Sequence, residues 1–217
     1  MNNKSSKANE EEYKIVGMFP TFVYVANRGY LSPKEEEEID DVIKDGTLEN
    51  SGNYTTDNNY IFNEKLKELK QFCEHHIKIY VEQIFNPQEE LDFFITQSWL
   101  NITKPDGFHH MHKHANSIIS GVFYVATEED DSITFTDPRP EAWQIKFEPK
   151  EYDTRNSPEW WYPTQTNELF LFPSWLNHGV QPRNPEKVTE DRISISFNTF
   201  VKGSIGNKTH LTELILR

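Results

Sequence analysis

The stretch HHMHKHANSIISGVFYV (His109–Val125) joins a cluster of histidines to a run of β-branched and aromatic residues. Four of the eight histidines of the chain fall within the first six residues of this stretch. The run that follows them favours a β-strand. On extended backbone, His112 and His114 project to the same face, because side chains alternate along a strand. Two imidazoles on one face can take adjacent coordination positions of one metal ion, so the stretch predicts part of a metal site on a β-sheet.

The C-terminal half of the chain continues this strand-forming pattern. Short β-branched and aromatic runs are separated there by turn-forming residues. Strands at this spacing are typical of an antiparallel sandwich or barrel. The predicted strands lie in LDFFITQSWLNIT (91–103), SIISGVFYV (117–125), SITFTD (132–137), AWQIKF (142–147), ELFLF (168–172), GVQP (179–182) and RISISFNTFV (192–201).

The N-terminal half predicts two helices that pack on the sandwich. In LSPKEEEEIDDVIKDG (31–46), Ser32 has the position of an N-cap, Pro33 that of the first helical residue, and Glu35 that of its capping-box partner. Residues 64–85 carry apolar side chains at helical spacing and predict the second helix.

Four other segments are predicted to be less regular. Residues 1–12 are polar and read as a disordered tail, and KIVGMFPTFVYVANR (14–28) as an edge strand or extended arm. We interpret SGNYTTDNNYIFN (51–63) as a polar loop and PEWWYPT (158–164) as an aromatic loop. Both loops are expected to help shape the entrance to the site.

Composition excludes several classes of partner. A formal net charge of −13 and a pI near 5.0 argue against nucleic acid, because proteins that bind a phosphate backbone carry basic patches. No apolar run approaches the ~20 residues needed to span a bilayer, so no membrane association is expected. The single cysteine, Cys73, cannot form an internal disulfide and fits a reducing compartment. The expected location is the cytoplasm.

A third ligand for the histidine pair must come from elsewhere in the chain. The best candidate is His178, which ends a nearly continuous apolar strand in LFLFPSWLNHGVQP (169–182). The later run RISISF places Arg192 and Ser194 on one face of a strand. An arginine inside a sandwich is costly unless an anion neutralises it, and guanidinium matches a carboxylate with two hydrogen bonds. The sequence therefore predicts a carboxylate site in the same sandwich.

In their order, these motifs resemble the Fe(II)/2-oxoglutarate-dependent oxygenases of the prolyl-hydroxylase-like superfamily. The resemblance is closest to oxygenases of bacteria and bacteriophages that carry H-x-H-x-x-S-x-x-S-G-x-x-Y, a distant histidine and R-x-S. It covers about Trp99–Gly206, roughly half of the chain. The residues that match the pattern are His112, His114, Ser117, Ser120, Gly121, Tyr124, His178, Arg192 and Ser194.

The resemblance implies a mainly β fold with N-terminal helices, built on a double-stranded β-helix (jelly roll). It implies one oxygenase domain over 13–217, with helical support over about 32–85 and the jelly-roll core over about 91–203. His112, His114 and His178 would bind Fe(II), leaving open positions for 2-oxoglutarate as cosubstrate and then for dioxygen. The substrate to be hydroxylated is not identified by the residues, and a homodimer is left open.

The resemblance also assigns the cosubstrate contacts. Arg192 and Ser194 would bind the far carboxylate of 2-oxoglutarate, and Tyr124 matches a tyrosine that contacts the same group. Asn101, on the neighbouring strand, has the position of a further polar contact.

One position departs from the family pattern. Most members have H-x-D, whereas the second position here is His114. An imidazole in place of a carboxylate makes the site one charge more positive, although three-histidine sites are known among cupin-type dioxygenases. Two alternatives stay open at this point: Asp137 as a carboxylate ligand, and a ligand pair formed by His110 and His112.

Three functions compete on these grounds. The first is an oxygenase that couples decarboxylation of 2-oxoglutarate to hydroxylation. The second is a three-histidine dioxygenase that uses no cosubstrate, which leaves Arg192 and Ser194 without a purpose. The third is a binding module whose histidines hold an inert ion such as zinc.

Overall fold

The computed structural model describes residues 14–139, 145, 147–184 and 186–217. Helices α1 (Pro33–Lys44), α2 (Ile61–Glu64) and α3 (Lys67–Tyr80) lie in the N-terminal half, and a π-helical segment, Val81–Phe85, continues α3. The strands are β1 (Tyr24–Asn27), β2 (Thr47–Asn50), β3 (Asn53–Thr56), β4 (Asp92–Thr103), β5 (His109–His112), β6 (Ile119–Ala126), β7 (Ser132–Thr136), β8 (Glu159–Pro163), β9 (Glu168–Pro173), β10 (His178–Val180), β11 (Arg192–Ile205) and β12 (Leu214–Leu216).

Within the described ranges, these strands form two antiparallel sheets. The major sheet has the order β1-β9-β6-β11-β4-β3-β2, with β12 added to β11, and the minor sheet has the order β5-β10-β7-β8. The prediction of a mainly β jelly roll with N-terminal helices is confirmed. The predicted strand at 142–147 lies mostly outside the described residues, as does the predicted tail at 1–12.

Strand β11 separates the apolar core from the polar cavity. It pairs with β4 on one side and with β6 on the other, so it lies at the centre of the major sheet. Ile195 and Phe197 are fully buried in the core that the helices share with this sheet. Arg192, Ser194 and Ser196 project to the opposite face, toward the minor sheet, as side-chain alternation along a strand requires.

The helices cover the outer face of the major sheet. Helix α1 begins with the predicted capping box, in which Ser32 and Glu35 exchange hydrogen bonds, and it buries Ile39 and Val42. Helix α3 buries its stripe of Leu69, Cys73, Ile77 and Tyr80 in the same core. None of the described helices has both the length and the apolar composition needed to cross a bilayer.

The second predicted helix, 64–85, is not continuous. Leu66 breaks it with a left-handed backbone (φ 59°), which separates α2 from α3. The Leu66 N–H donates to a carboxylate oxygen of Glu38 at 2.7 Å, so a side chain of α1 satisfies the group that the break frees. A tertiary contact between two helices stabilises the break, so the helical periodicity of residues 64–85 does not predict it.

Two segments predicted to be loops form strands, so these predictions were wrong. Residues 51–63 contribute the turn and second strand of the β2–β3 hairpin, and β3 joins the major sheet beside β4. The turn is possible because Gly52 adopts φ 82°, a conformation that other residues rarely take. The segment 158–164 contributes β8, which pairs with β7 in the minor sheet. By contrast, the prediction of an edge strand within 14–28 is confirmed by β1, which pairs with β9.

Candidate active site

A cavity that opens to solvent lies between the two sheets. All seven residues that the sequence singled out for the site line this one cavity: Asn101, His112, His114, Tyr124, His178, Arg192 and Ser194. The other lining residues are Trp99, His109, Gly121, Val122, Ile133, Phe172, Gly179, Val180 and Ser196.

Strand pairing in the minor sheet brings two of the histidines together. His112 ends β5 and lies directly opposite His178, the first residue of β10. The strands approach closely because Gly179 has no side chain: a Cβ there would lie 2.7 Å from Met111 Sδ and 2.8 Å from the carbonyl oxygen of His109. The glycine therefore permits the pairing that sets the two imidazoles side by side.

His114 completes the cluster from the segment that follows β5. Its backbone N–H donates to the carbonyl oxygen of Ser174 at 3.0 Å, which ties this segment to the end of β9. The Nε2 atoms of His114 and His178 are 3.3 Å apart, and one ring nitrogen from each of the three histidines lies within 4.8 Å of the others. Nitrogens at such separations can bind a common ion at about 2.1 Å.

Backbone carbonyls orient two of the rings. Nδ1 of His112 lies 2.8 Å from the carbonyl oxygen of His110, and Nδ1 of His178 lies 2.8 Å from that of Leu176. Because a carbonyl oxygen only accepts hydrogen bonds, each Nδ1 carries the proton and each Nε2 keeps its lone pair. This is the usual arrangement of metal-binding histidines, so the donor set fits a divalent transition metal.

Burial keeps the three imidazoles neutral. It lowers the pKa of His178 to about 3 and that of His114 to about 4, and the neighbouring imidazoles add to both effects. Burial also lowers the pKa of His112. Because imidazole binds a metal only in its neutral form, all three rings are ready to bind a metal ion at physiological pH.

The two alternative ligands from the sequence are not brought to the cluster. The Asp137 carboxylate binds the guanidinium of Arg139, with oxygen–nitrogen distances of 2.8–2.9 Å, and the residue does not line the cavity. His110 is exposed and contributes its carbonyl oxygen to His112. In the described part of the chain, the histidine, cysteine and acidic side chains that group within metal-binding reach are His112, His114 and His178.

A chain of buried hydroxyl groups lies behind His114. The Ser174 hydroxyl donates to Ser117 Oγ at 2.7 Å and lies 2.8 Å from Ser120 Oγ, which in turn donates to Asn198 Oδ1 at 3.0 Å. Ser174 is also the residue whose carbonyl accepts the His114 N–H. The two serines of the H-x-H-x-x-S-x-x-S motif thus hold the segment that carries the second histidine.

The carboxylate-binding candidates line the same cavity along the centre of the major sheet. Ser194 lies opposite Tyr124 of β6 and Asn101 of β4 in the strand register. Arg192 is 3% exposed, and its Nε has no hydrogen-bond partner. Its guanidinium carbon lies 6.0 Å from the centre of the Tyr124 ring. Burial raises the pKa of Tyr124, so the phenol keeps its proton and can donate a hydrogen bond to an anion.

Asn101 has one group free for a ligand. Its Nδ2 donates to Ser196 Oγ at 3.0 Å, whereas its Oδ1 is buried without a hydrogen-bond partner. A buried amide oxygen without a partner is unfavourable unless a ligand or water donates to it.

The structure adds a fourth histidine that the sequence left as a loop or surface residue. His109 lines the cavity, and its ring stacks on that of His112 with centroids 4.6 Å apart. Its Nδ1 lies 3.3 Å from Nδ2 of Asn53, which belongs to the hairpin that was predicted to be a loop. Burial lowers the pKa of His109 to about 3. The hairpin therefore reaches the site through Asn53.

Sequence reasoning also missed two charged residues behind the cavity. Asp131 Oδ1 lies 3.4 Å from Arg183 Nη1 and 3.9 Å from Arg192 Nη1. Asp131 falls in the acidic run EEDD, a pattern that normally indicates a solvated surface, and Arg183 lies in an irregular segment without periodicity. Asp131 directly precedes the strand SITFT (132–136), which lies in the sandwich. This position was the one signal in the sequence that the carboxylate is buried.

Comparisons with known proteins identify the family of the site-bearing region. Residues 97–198 match the family model described as "Putative 2OG-Fe(II) oxygenase". No curated protein matches the chain. The matched region includes all seven of the predicted site residues.

Solved structures share the fold at low sequence identity. An oxidoreductase of the 2OG-Fe(II) oxygenase family from Burkholderia pseudomallei is 14% identical, with a TM-score of 0.54 over 82% of this chain and 83% of that one. HygX from Streptomyces hygroscopicus, solved with nickel and 2-oxoglutarate bound, is 10% identical, with a TM-score of 0.56 over 82% of each chain. A prolyl-4-hydroxylase from Pseudomonas putida is 11% identical, with a TM-score of 0.53 over 82% of this chain and 92% of that one. Since family model and fold agree, residues 97–198 form a 2OG-Fe(II) oxygenase domain, of a family that depends on Fe(II) and 2-oxoglutarate.

Proposed function

We propose that this oxygenase hydroxylates a substrate, which its residues do not identify, while it converts 2-oxoglutarate and dioxygen to succinate and carbon dioxide. One oxygen atom of dioxygen enters succinate and the other enters the hydroxylated product. The observation that carries the proposal is the meeting, in one cavity, of three neutral imidazoles with a buried arginine whose Nε has no partner.

In this proposal His112, His114 and His178 hold Fe(II). The carbonyls of His110 and Leu176 fix the protons of two rings on Nδ1, which leaves Nε2 as the donor to the metal. When bound, iron with 2-oxoglutarate and dioxygen supplies an oxidising power that no side chain has. The protein contributes the position of the donors and a cavity that limits the access of water.

Arg192, Ser194, Tyr124 and Asn101 would bind the cosubstrate. The Arg192 guanidinium neutralises a carboxylate, and the Ser194 and Tyr124 hydroxyls can each donate a hydrogen bond to it. Because 2-oxoglutarate has no hydrogen-bond donor, Asn101 would contact it through its NH2 group, with the amide turned so that Oδ1 accepts the Ser196 hydroxyl. These contacts orient the dicarboxylate, so that its 2-oxo acid end faces the histidines across the cavity.

The setting of the enzyme is also part of the proposal. We propose a cytoplasmic location, supported by a single cysteine, Cys73, which is buried and free in α3. Residues 13–217 would act as one domain, because the core is shared by the helices and the major sheet. A homodimer stays a prediction from the sequence.

Succinate formation from 2-oxoglutarate tests the function before the substrate is known. Wild-type protein with Fe(II), ascorbate and air should release succinate slowly. His178→Ala should reduce the release to background, and Arg192→Ala should reduce it strongly at the same 2-oxoglutarate concentration. 2-Oxopentanoate, which has the same chain length but no far carboxylate, serves as the matched control, and its conversion to butanoate and carbon dioxide should be poor. Metal binding without any turnover of 2-oxoglutarate would instead favour a dioxygenase that uses no cosubstrate or an inert metal module.

A further inference from the structure

Three charged side chains form a buried cluster at the carboxylate end of the cavity. The side chains of Asp131, Arg183 and Arg192 are 0%, 2% and 3% exposed, although they come from different parts of the chain. The Asp131 carboxylate lies between the two guanidiniums, 3.4 Å from Arg183 Nη1 and 3.9 Å from Arg192 Nη1. Its other oxygen accepts the backbone N–H of Glu128 at 2.9 Å, which holds the carboxylate in place.

The cluster carries one positive charge more than it can neutralise. Among the described residues, Asp131 is the acidic side chain that pairs with either guanidinium. Arg183 also donates to the carbonyl oxygens of Thr103 and Glu190, at 2.7 and 3.1 Å, but carbonyls carry no net charge. Two guanidiniums and one carboxylate leave a net charge of +1 on three side chains that are almost fully buried.

The surplus charge faces the cavity through Arg192. Arg192 lines the cavity, whereas Asp131 and Arg183 lie behind it. Nε of Arg192, Nε of Arg183 and Oδ1 of Asp131 are all buried without hydrogen-bond partners. Arg183 Nη1 donates a long hydrogen bond to Asp131 Oδ2 at 3.5 Å, whereas Asp131 acts on Arg192 through charge at 3.9 Å more than through a directed hydrogen bond.

We propose that Asp131 and Arg183 determine cosubstrate specificity by setting the charge of this end of the cavity to +1, so that it accepts a tail with one carboxylate. The inference rests on the proposed function and deepens it. Asp131 opposes anion binding and at the same time keeps the two buried arginines from repelling each other. Arg183 restores the positive charge that Asp131 removes.

Removing the charge of Asp131 and removing the charge of Arg183 should therefore change the affinity for 2-oxoglutarate in opposite directions. Asp131→Asn keeps the shape of the side chain and raises the net charge to +2, so it should tighten the binding of 2-oxoglutarate. Arg183→Met lowers the net charge to zero and should weaken it. Where the effective dielectric constant is about 20, one unit charge several ångströms away should change the dissociation constant at least about fivefold. The double variant restores +1 and should lie near wild type.

The experiment measures dissociation constants of 2-oxoglutarate and 2-oxopentanoate for the Fe(II)-loaded protein without oxygen, by quenching of tryptophan fluorescence. The dissociation constant of 2-oxopentanoate divided by that of 2-oxoglutarate is a ratio that reports the contribution of the far carboxylate alone. It should rise at least about fivefold in Asp131→Asn, fall by a similar factor in Arg183→Met and return in the double variant. Asp130→Asn and Lys187→Met change the same charges in an exposed neighbouring pair, 3.6 Å apart, and should leave the ratio unchanged.

The outcomes separate the inference from the function. If both single variants lower the ratio, the cluster only positions Arg192, and the charge-setting role is wrong. An unchanged ratio in both variants overturns it as well. If Arg183→Met does not fold, Asp131→Asn decides alone. A ratio above that of wild type supports the charge-setting role, and a ratio at or below that of wild type contradicts it. A wild-type protein that does not distinguish the two ligands would contradict the proposed 2-oxoglutarate site itself.

Discussion

Nε of Arg192 is buried without a hydrogen-bond partner, in a cavity that is also lined by three hydroxyl groups and a free amide oxygen. The strand alternation in RISISF was enough to predict that Arg192 and Ser194 face inward together. The same alternation could not predict Asp131, because an acidic run has no periodicity that distinguishes a buried member from its solvated neighbours. The sequence therefore predicts the buried positive charge of Arg192 but not the negative charge of Asp131 beside it.

Removal of the Arg192 guanidinium should weaken 2-oxoglutarate binding strongly. A charge-assisted hydrogen bond to a carboxylate contributes about 1.5–3 kcal/mol, so Arg192→Ala should raise the half-saturating 2-oxoglutarate concentration roughly 10- to 150-fold. Lys104→Ala is the control, since it removes an exposed cation that pairs with Asp191 just before β11. The measurement is succinate release against 2-oxoglutarate concentration, and an unchanged half-saturating concentration in Arg192→Ala would exclude Arg192 from the cosubstrate site.

The segment between β5 and β6 carries His114 without being part of either strand. The sequence predicted a same-face pair from extended backbone, and the two rings do meet, but His114 is held by its N–H bond to Ser174 rather than by sheet pairing. Ser174 directly follows β9. Its hydroxyl contacts the two motif serines, Ser117 before β6 and Ser120 within it, and these contacts hold Ser174 in place. Such contacts join residues more than 50 positions apart, so local patterns do not reveal them.

Loss of the Ser174 hydroxyl should reduce metal affinity through His114. Groups that orient a ligand typically contribute about 10- to 100-fold to metal affinity, so Ser174→Ala should weaken Co(II) binding by about tenfold. In a His114→Ala background the same change should have no further effect, because the residue on which it acts is gone. Ser98→Ala is the control: its buried hydroxyl accepts the Phe62 N–H at 2.9 Å, and its loss should lower stability alone. Equal losses of affinity in both backgrounds would show that Ser174 does not act through His114.

The close approach of β5 and β10 depends on Gly179. A Cβ there would meet the carbonyl oxygen of His109 at 2.8 Å, and backbone cannot move aside as a flexible side chain can. Gly179→Ala should therefore shift the strand pairing that sets His112 opposite His178 and weaken Co(II) binding, with a lower urea midpoint. Gly17→Ala, where no atom lies within 4 Å of the new Cβ, should change neither quantity. Normal metal affinity in Gly179→Ala would mean that the histidine cluster tolerates a shifted β10.

Element prediction succeeded where the signal was local. The capping box at Ser32 and Glu35 marked the start of α1, and the alternation of β11 marked its two faces. The β2–β3 hairpin was missed because its polar composition resembles a loop, although pairing with β4 satisfies its backbone. The break at Leu66 was missed for a related reason, since a carboxylate from another helix stabilises it.

The stability of the entire chain should depend on pH through its buried histidines. The pKa values of His109, His114 and His178 are lowered to about 3, 4 and 3, whereas an unfolded histidine has a pKa near 6.5. The unfolded chain therefore binds more protons than the folded chain between about pH 6.5 and pH 4, and the free energy of unfolding falls as the pH falls through this window.

Urea unfolding of the metal-free protein at about pH 7.5 and about pH 5 measures this dependence. The midpoint should be lower at the acidic pH, and His109→Gln should reduce the difference without removing a proposed metal ligand. An equal pH dependence in wild type and His109→Gln would show that His109 is not held neutral by burial. Saturating metal should raise both midpoints, because it binds only the folded cluster.

Anaerobic titration of the metal-free protein with Fe(II) and 2-oxoglutarate tests the proposed site as a unit. Histidine ligation of iron and bidentate binding of 2-oxoglutarate to the same ion together give a weak visible metal-to-ligand charge-transfer band. We expect this band only when both are present, saturating at one iron per chain, and we expect it to be absent in His178→Ala. Full binding of iron without any visible band on addition of 2-oxoglutarate would contradict the assignment of this cavity as a 2-oxoglutarate oxygenase site.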